Sequence, residues 1–244
     1  MKRLSAAFLA LSTAIATPAA AEDASRDAFV DANILSIFYH ELGHAVIDVM
    51  EVPIFGQEED AADVMAVLLI DWLFEEDAAQ SIAYDSAFGY INDPEGREEV
   101  PYWDLHGPDE QRFYNHVCLF YGAAPDDRDD LAADLGLPED RAETCPEEYD
   151  QAAESWGMIF DELEGVEDGV PMLFEPGEGA AAMRINEVLR SEVESMNGDI
   201  ALPREVVVKV ESCGEPNAFY DPSDVAIIFC TEFIGHLEEL YAQF

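Results

Sequence analysis

The strongest constraint on this chain is the pentapeptide HELGH, which begins at His40 and ends at His44. Two histidines four residues apart lie on one face of an α-helix, where both imidazoles can bind the same metal ion. Glu41 lies between them and would sit beside the ion as a general base. A helix that merely carries two surface histidines is the alternative, because such a motif arises by chance in on the order of one chain in a hundred of this length.

A catalytic zinc site needs a third protein ligand and one open position. Glu59 is the favoured ligand because Asp63 follows it four residues later, on the same helical face. The aspartate can then accept the free ring N–H of the first histidine. Glu58 and Asp60 are rival ligands that have no such aspartate, and a solvated acidic helix N-terminus without metal is the alternative. The sequence therefore predicts one Zn²⁺ per chain, held by two histidines and Glu59.

Helical periodicity surrounds these residues. Apolar residues recur at helical spacing over 31–50, where Asp31 or Asn33 could cap the helix, and again over 58–74. The intervening stretch Pro53 to Gly56 breaks the pattern. The sequence therefore predicts an antiparallel helix pair joined by a tight turn.

The rest of the chain predicts an α+β fold that is mainly helical, in a single domain with a small sheet. Its 244 residues are enough for one sizeable core. Residues 84–110 carry Gly, Pro, Asp and Asn at short intervals and predict a long functional loop. The remaining predicted elements are helices over 111–121, 138–160, 180–196 and 231–241 and strands over 205–210 and within 218–229.

The first 21 residues have the pattern of a secretory signal peptide. Lys2 and Arg3 precede an apolar segment from Leu4 to Ala16, and small residues then lead to Glu22. A membrane anchor is the alternative, but the apolar run is shorter than the roughly 18 to 20 residues that a bilayer span needs. We therefore expect an exported protein, periplasmic or secreted, with a mature domain over 22–244 and no membrane span.

Export agrees with the even number of cysteines, which outside the cytoplasm usually form disulfides. None of them belongs to a CxxC motif, so a thiolate metal site is disfavoured. Three pairings are possible. The favoured one joins the cysteines that are near in sequence, namely Cys118 with Cys145 and Cys213 with Cys230.

The formal net charge of −43 limits the partners of this chain. Without the signal peptide the chain keeps 9 basic residues against 54 acidic ones, so nucleic acid and anionic membranes would repel it. The acidic residues are spread along the chain among a normal share of apolar residues. This pattern is typical of a folded protein with a hydrated acidic surface, either adapted to salt or simply very soluble.

With the HELGH motif and the acidic pair of the second helix, the chain resembles the gluzincins, the zinc peptidases that include thermolysin and neprilysin. It also looks like an uncharacterised group of bacterial metallopeptidases. The segment DLHGPDEQR, which begins at Asp104, matches the neprilysin-type pattern DxHxPxxxR. The resemblance implies that His106 stabilises the transition-state oxyanion, that Asp104 orients it, and that Arg112 binds a substrate carbonyl.

A second resemblance concerns the segment NAFY at Asn217 to Tyr220. It is similar to the edge strand on which neprilysin-like enzymes lay the substrate backbone, which implies substrate contacts for Asn217 and Ala218. In those enzymes the strand precedes the zinc helix, whereas here it follows by about 175 residues. Either the zincin-like fold is circularly permuted or the similarity is accidental, in which case the strand belongs to a hairpin that only completes the sheet.

Together these features predict a zinc peptidase whose partners are peptide or protein substrates. The alternative is an exported zinc-binding protein without hydrolytic activity, which serves as a binding or assembly module. A chain in which the motif is accidental and no metal binds is the third hypothesis.

Overall fold

The computed structural model describes residues 18–91, 100–164, 166 and 168–244. The predicted signal peptide, residues 1–21, lies outside this part of the chain except for its last four residues. Those four residues form the beginning of the first helix.

Helices dominate the described residues, and a four-stranded sheet accompanies them. The helices are α1 (Pro18–Met50), α2 (Glu58–Leu73), α3 (Glu76–Ile91), α4 (Asp109–Ala123), α5 (Asp129–Asp134), α6 (Glu139–Ala142), α7 (Cys145–Glu164), α8 (Ala182–Asp199) and α9 (Phe233–Tyr241). The strands are β1 (Leu173–Glu175), β2 (Val207–Glu211), β3 (Ala218–Asp221) and β4 (Ala226–Cys230). The predicted fold class, α+β and mainly helical with a small sheet in one domain, is confirmed.

α1 is the central helix, and it packs against α2, α3, α8, α9 and the strands β3 and β4. It ends because Glu51 adopts a left-handed φ of 53°. The N–H of Val52 then donates to the carbonyl of Ile47 at 2.9 Å, which closes the helix end before Pro53. The short connection brings α2 back against α1, so the predicted helix pair is confirmed.

The predicted start of α1 is wrong, because the helix begins 13 residues before Asp31. Neither Asp31 nor Asn33 caps it. Asp31 instead forms an ion pair with Arg184 of α8. The Asn33 amide donates to the carbonyls of Phe29 and Asp85, which ties α1 to α3.

The predicted loop over residues 84–110 is also partly wrong, because α3 extends to Ile91. Ala79, Ala83 and Ala87 recur every four residues and are almost completely buried. They form a small-residue face within the hydrophobic core. Alanine contributes little to a hydrophobic pattern, so the Gly and polar residues nearby lead to the prediction of a loop.

The strand order of the sheet is β1-β2-β4-β3. β1, β2 and β4 are parallel to one another, whereas β3 pairs with β4 in the antiparallel direction. β4 is buried along its whole length. β3 therefore lies at an edge of the sheet, and in the described part of the chain no strand pairs with its second side.

Both disulfides join the cysteines that the sequence paired. Cys118 of α4 is bonded to Cys145 at the start of α7, and Cys213 is bonded to Cys230 at the end of β4. The described chain has no free cysteine. The first bond ties α4, which includes the end of the DxHxPxxxR segment, to α7.

We predict that non-reduced peptide maps contain these two crosslinks. Replacing Cys118 and Cys145 together by alanine opens a loop of 27 residues, which should lower the free energy of unfolding by about 3.5 kcal/mol. Urea denaturation measures this loss, and the Cys213 and Cys230 double variant provides the comparison with a loop of 17 residues. Crosslinks in any other combination would contradict the placement of these elements.

Candidate metal centre

The candidate site begins with an unusually close contact between α1 and α2. A Cβ atom added to Gly43 would lie 2.9 Å from the Cα atom of Ala62. Only glycine permits this approach without a displacement of the second helix. Gly43 belongs to HELGH and Ala62 lies between Glu59 and Asp63, so the contact brings the two predicted halves of the site together.

Three candidate ligand atoms converge beside this contact. The Nε2 atoms of His40 and His44 are 3.2 Å apart. Oε2 of Glu59 lies 3.2 Å from each of them. Ligand atoms at about 2.0 to 2.1 Å from a tetrahedral zinc ion are separated by about 3.3 Å, so this triangle has the dimensions of a zinc site.

The opposite ring nitrogens of both histidines face carboxylates. Nδ1 of His40 lies 2.8 Å from Asp63, and Nδ1 of His44 lies 2.8 Å from Glu58. A carboxylate at Nδ1 favours the tautomer in which Nδ1 carries the proton and Nε2 presents a lone pair. Two lone pairs and the Glu59 carboxylate then face one another, an arrangement that a cation would stabilise.

The acidic neighbours also change the protonation of the ligands. Burial lowers the pKa of His40, but hydrogen bonds to Asp63 and Glu59 outweigh it and raise this pKa to about 9. Burial raises the pKa of Glu59, yet hydrogen bonds from His106 and both motif histidines leave it far below its usual range. The raised pKa of His40 favours a second proton on its ring in the absence of a metal, and a metal ion would have to displace that proton.

His106 provides a second combination of ligand atoms. Its Nε2 lies 2.8 Å from Oε2 of Glu59, and atoms of His40, Glu59 and His106 lie within 4.8 Å of one another. The His106 side chain is 44% exposed and comes from the irregular segment before α4. The residues present can therefore hold a metal ion with either histidine as the third ligand, and the triangle with His44 is the tighter one.

The other residues of the DxHxPxxxR segment lie around this centre. The Asp104 carboxylate accepts the backbone N–H of His106 at 3.3 Å, and it lies 3.8 Å from Nδ1 of the His106 ring. Arg112 donates from Nε and Nη2 to the two oxygens of Asp63, at 2.7 and 2.8 Å. Asp63 thus binds both His40 and Arg112. The sequence had not predicted the contact between Arg112 and Asp63.

The edge strand β3 borders the same centre. The N–H of Cys230 donates to the Asn217 carbonyl at 3.0 Å, and Ala218 is opposite Phe229 in the register with β4. Hydrogen bonding to a neighbour alternates along an antiparallel strand, so the backbone N–H and C=O of Ala218 and Tyr220 point away from β4. The N–H of Tyr220 is among the groups that lower the pKa of the buried Glu41 carboxyl, against the larger effect of burial.

A cavity of about 870 Å³ joins these parts. α1 forms its floor, because the lining residues from Asn33 to Asp48 recur at helical spacing on one face. The predicted site residues on its wall are His40, Glu41, His44, Glu59, His106, Arg112, Asn217 and Ala218. The structure therefore brings together residues that are more than 170 positions apart in the chain.

The comparison with protein families agrees with this geometry. The model of family DUF4344, described as "Putative metallopeptidase", matches residues 7–160 and 175–244. The chain belongs to this family. No curated protein and no solved structure matches the chain.

Membership in a metallopeptidase family implies a metal ion and a peptide substrate. Within the described residues no helix is long and apolar enough to cross a membrane.

The sequence analysis did not single out two residues that shape the site. Gly43 and Ala62 allow the close helix contact, and small residues in the middle of both ligand motifs were the available signal.

We predict that Gly43→Ala weakens metal binding. The new methyl group has no room, so it should separate α1 from α2 and cost about 1 to 3 kcal/mol of stability, as overpacking does. Gly157 of α7 is the matched control, because it is also helical and a Cβ atom there meets nothing within 4 Å. Gly157→Ala should leave stability unchanged or raise it by up to about 1 kcal/mol. Thermal unfolding and chelator competition measure both variants, and equal behaviour would refute the close-contact argument.

Proposed function

We propose that this protein is a zinc-dependent peptidase of the gluzincin kind. The observation that carries the proposal is the 3.2 Å triangle of His40, His44 and Glu59 atoms on two packed helices. Two imidazoles and one carboxylate suit zinc, and three protein ligands leave a position open for water or substrate. Membership in the metallopeptidase family supports the same conclusion.

His44 is the proposed third ligand in preference to His106. His44 is fixed by α1 and by the hydrogen bond to Glu58, whereas His106 lies on an exposed segment. A zinc site is best held by side chains on rigid elements. His106 would then remain beside the open position of the centre, where a substrate carbonyl oxygen would lie.

Glu41 is the proposed general base. Bound zinc supplies a Lewis acid that polarises the scissile carbonyl and acidifies water. Glu41 lies on the same face of α1 as both histidines, and burial raises the pKa of its carboxyl group. A raised pKa makes the carboxylate a better acceptor for the proton of the attacking water. Glu41 and Tyr220 line the same cavity.

His106, Asp104 and Arg112 would act on the substrate. The His106 ring can donate to the oxygen that gains charge as the carbonyl is attacked. Asp104 binds the backbone beside the ring and so limits its movement. The Arg112 guanidinium has five N–H groups, and the bonds to Asp63 use two of them, so it can also bind a substrate carbonyl while it remains fixed.

The substrate backbone would lie along the edge strand β3. The outward N–H and C=O of Ala218 can pair with an extended peptide by strand addition. The carbonyl of Asn217 is already bound to β4, so its side-chain amide is the group available to the peptide. A substrate-binding strand that follows the zinc helix in the sequence supports the proposal that the zincin-like fold is circularly permuted.

We also propose that residues 1–21 are a signal peptide, that residues 22–244 form the mature enzyme, and that the enzyme is periplasmic or secreted. The two disulfides are compatible with an oxidising compartment. The net charge of −43 supports the view that nucleic acid is not a partner.

We predict one zinc ion per mature chain. Glu59→Ala should lose most of the metal, because it removes a ligand and leaves two imidazoles. Glu58→Ala is the matched control, since it removes only a hydrogen bond to His44 and should lower zinc affinity by about ten- to 100-fold, less than the loss of a ligand. Elemental analysis of chelator-free protein tests both statements. Protein without stoichiometric zinc would refute the metal assignment, and the reverse ranking of the variants would move the third ligand to Glu58.

We further predict that Glu41→Gln binds zinc normally but has lost hydrolysis. The amide keeps the size of the side chain and cannot accept the proton of water, so kcat should fall by about 100-fold or more. Cleavage of a fluorogenic peptide library, with and without chelator, measures the effect. If the variant cleaves peptides as well as the wild type, Glu41 is not the base.

A further inference from the structure

Tyr220 of β3 binds α1 through its side chain. Its hydroxyl donates to Oδ2 of Asp48 at 2.7 Å. Asp48 follows His44 by four residues, about 6 Å along the helix, and all three residues line the same cavity. One side chain of β3 is therefore bonded to the helix that carries the metal motif.

Asp48 receives a second donor from a different part of the chain. Nη2 of Arg204, in the segment before β2, also donates to Oδ2 of Asp48. The Asp48 side chain is 36% exposed and lines the cavity beyond His44. A single carboxylate thus joins the zinc helix to the edge strand and to the segment that leads into the sheet.

From these contacts we infer that Asp48 is a positioning residue that sets the place of the substrate-binding edge of β3 over the metal centre. The inference rests on the proposed function and deepens it. β3 pairs with only one strand among those described, so its other side needs a support. The Asp48–Tyr220 hydrogen bond fixes one end of the strand, so that the outward groups of Ala218 face the cavity that the proposed general base also lines.

The bond matters most for substrates that extend along β3. A short substrate depends on the metal and Glu41, whereas a long peptide also pairs with the backbone of Ala218. Loss of the Tyr220 hydroxyl should therefore raise KM for a long peptide on the order of tenfold, the usual scale for a hydrogen bond to a charged group. KM for a blocked dipeptide should change little, and zinc content should not change.

Three variants test the inference. Tyr220→Phe removes only the hydroxyl, and Asp48→Ala removes the acceptor, so both should show the selective rise in KM. Asp48→Asn keeps an acceptor for Tyr220 and should retain most of the affinity for the long peptide. Tyr149→Phe is the matched control, because the Tyr149 hydroxyl donates to Asp71 at 2.6 Å among residues that do not line this cavity.

The kinetic probes are a quenched fluorescent decapeptide that the wild type cleaves and a blocked dipeptide cut from the same sequence. Hydrogen exchange of a peptide covering residues 217–221 provides a readout that needs no activity. In Tyr220→Phe this segment should exchange about tenfold faster than in the wild type, while β4 keeps its protection.

A wild type that cleaves no peptide would refute the proposed function, and the exchange experiment would still decide the inference about Asp48. Exchange and KM values in Tyr220→Phe that equal those of Tyr149→Phe would overturn the inference. A proportional loss on the long and the short substrate would also overturn it, because it would indicate general damage to the site.

Discussion

The site depends on the contact between Gly43 of α1 and Ala62 of α2, where the two helices approach closely enough to exclude any larger side chain. Each helix alone carries only part of the proposed metal site. α1 presents two imidazoles on one face, and α2 presents the carboxylates of Glu59 and Asp63. The contact brings side-chain atoms of His40, His44 and Glu59 into a triangle with sides of 3.2 Å. The geometry of the site therefore depends on the close packing of two small residues.

A second group of contacts holds the cavity around this pair of helices. Asp63 binds His40 and Arg112 together, which couples the position of a proposed metal ligand to that of the arginine proposed to bind the substrate. On the other side, the Tyr220 hydroxyl of β3 is bonded to Asp48 of α1. Buried charged groups such as Asp63 persist because they have a partner of opposite charge or a hydrogen-bond donor. These bonds join the walls of the cavity to α1.

Local patterns predicted which side chains the structure brings together on α1 and α2. The spacing of His40 and His44 gave a helix face, the pair Glu59 and Asp63 gave a second face, and four cysteines gave the two disulfides that the structure contains. Resemblance, and not periodicity, suggested that Asn217 lies in the same cleft, where the structure places it. These elements were predictable because their side chains carry a strong chemical signal.

Other parts were not predictable because their signal is weak or lies in distant contacts. The alanine face of α3 lacks the hydrophobic contrast that marks a helix, so the sequence predicts a loop over residues 84–91, where α3 continues to Ile91. The early start of α1 and the three-residue strand β1 gave no clear pattern. The role of Asp48 follows only from the tertiary contact with Tyr220, 172 residues away.

The most direct test of the account is a crystal structure of the zinc-loaded mature protein, with anomalous diffraction recorded on both sides of the zinc absorption edge. The account predicts one zinc peak with His40 Nε2, His44 Nε2 and Glu59 oxygen at about 2.0 to 2.2 Å, and an open position that faces the cavity. A peak coordinated by His106 in place of His44, or zinc bound only at surface carboxylates, would contradict the central claim.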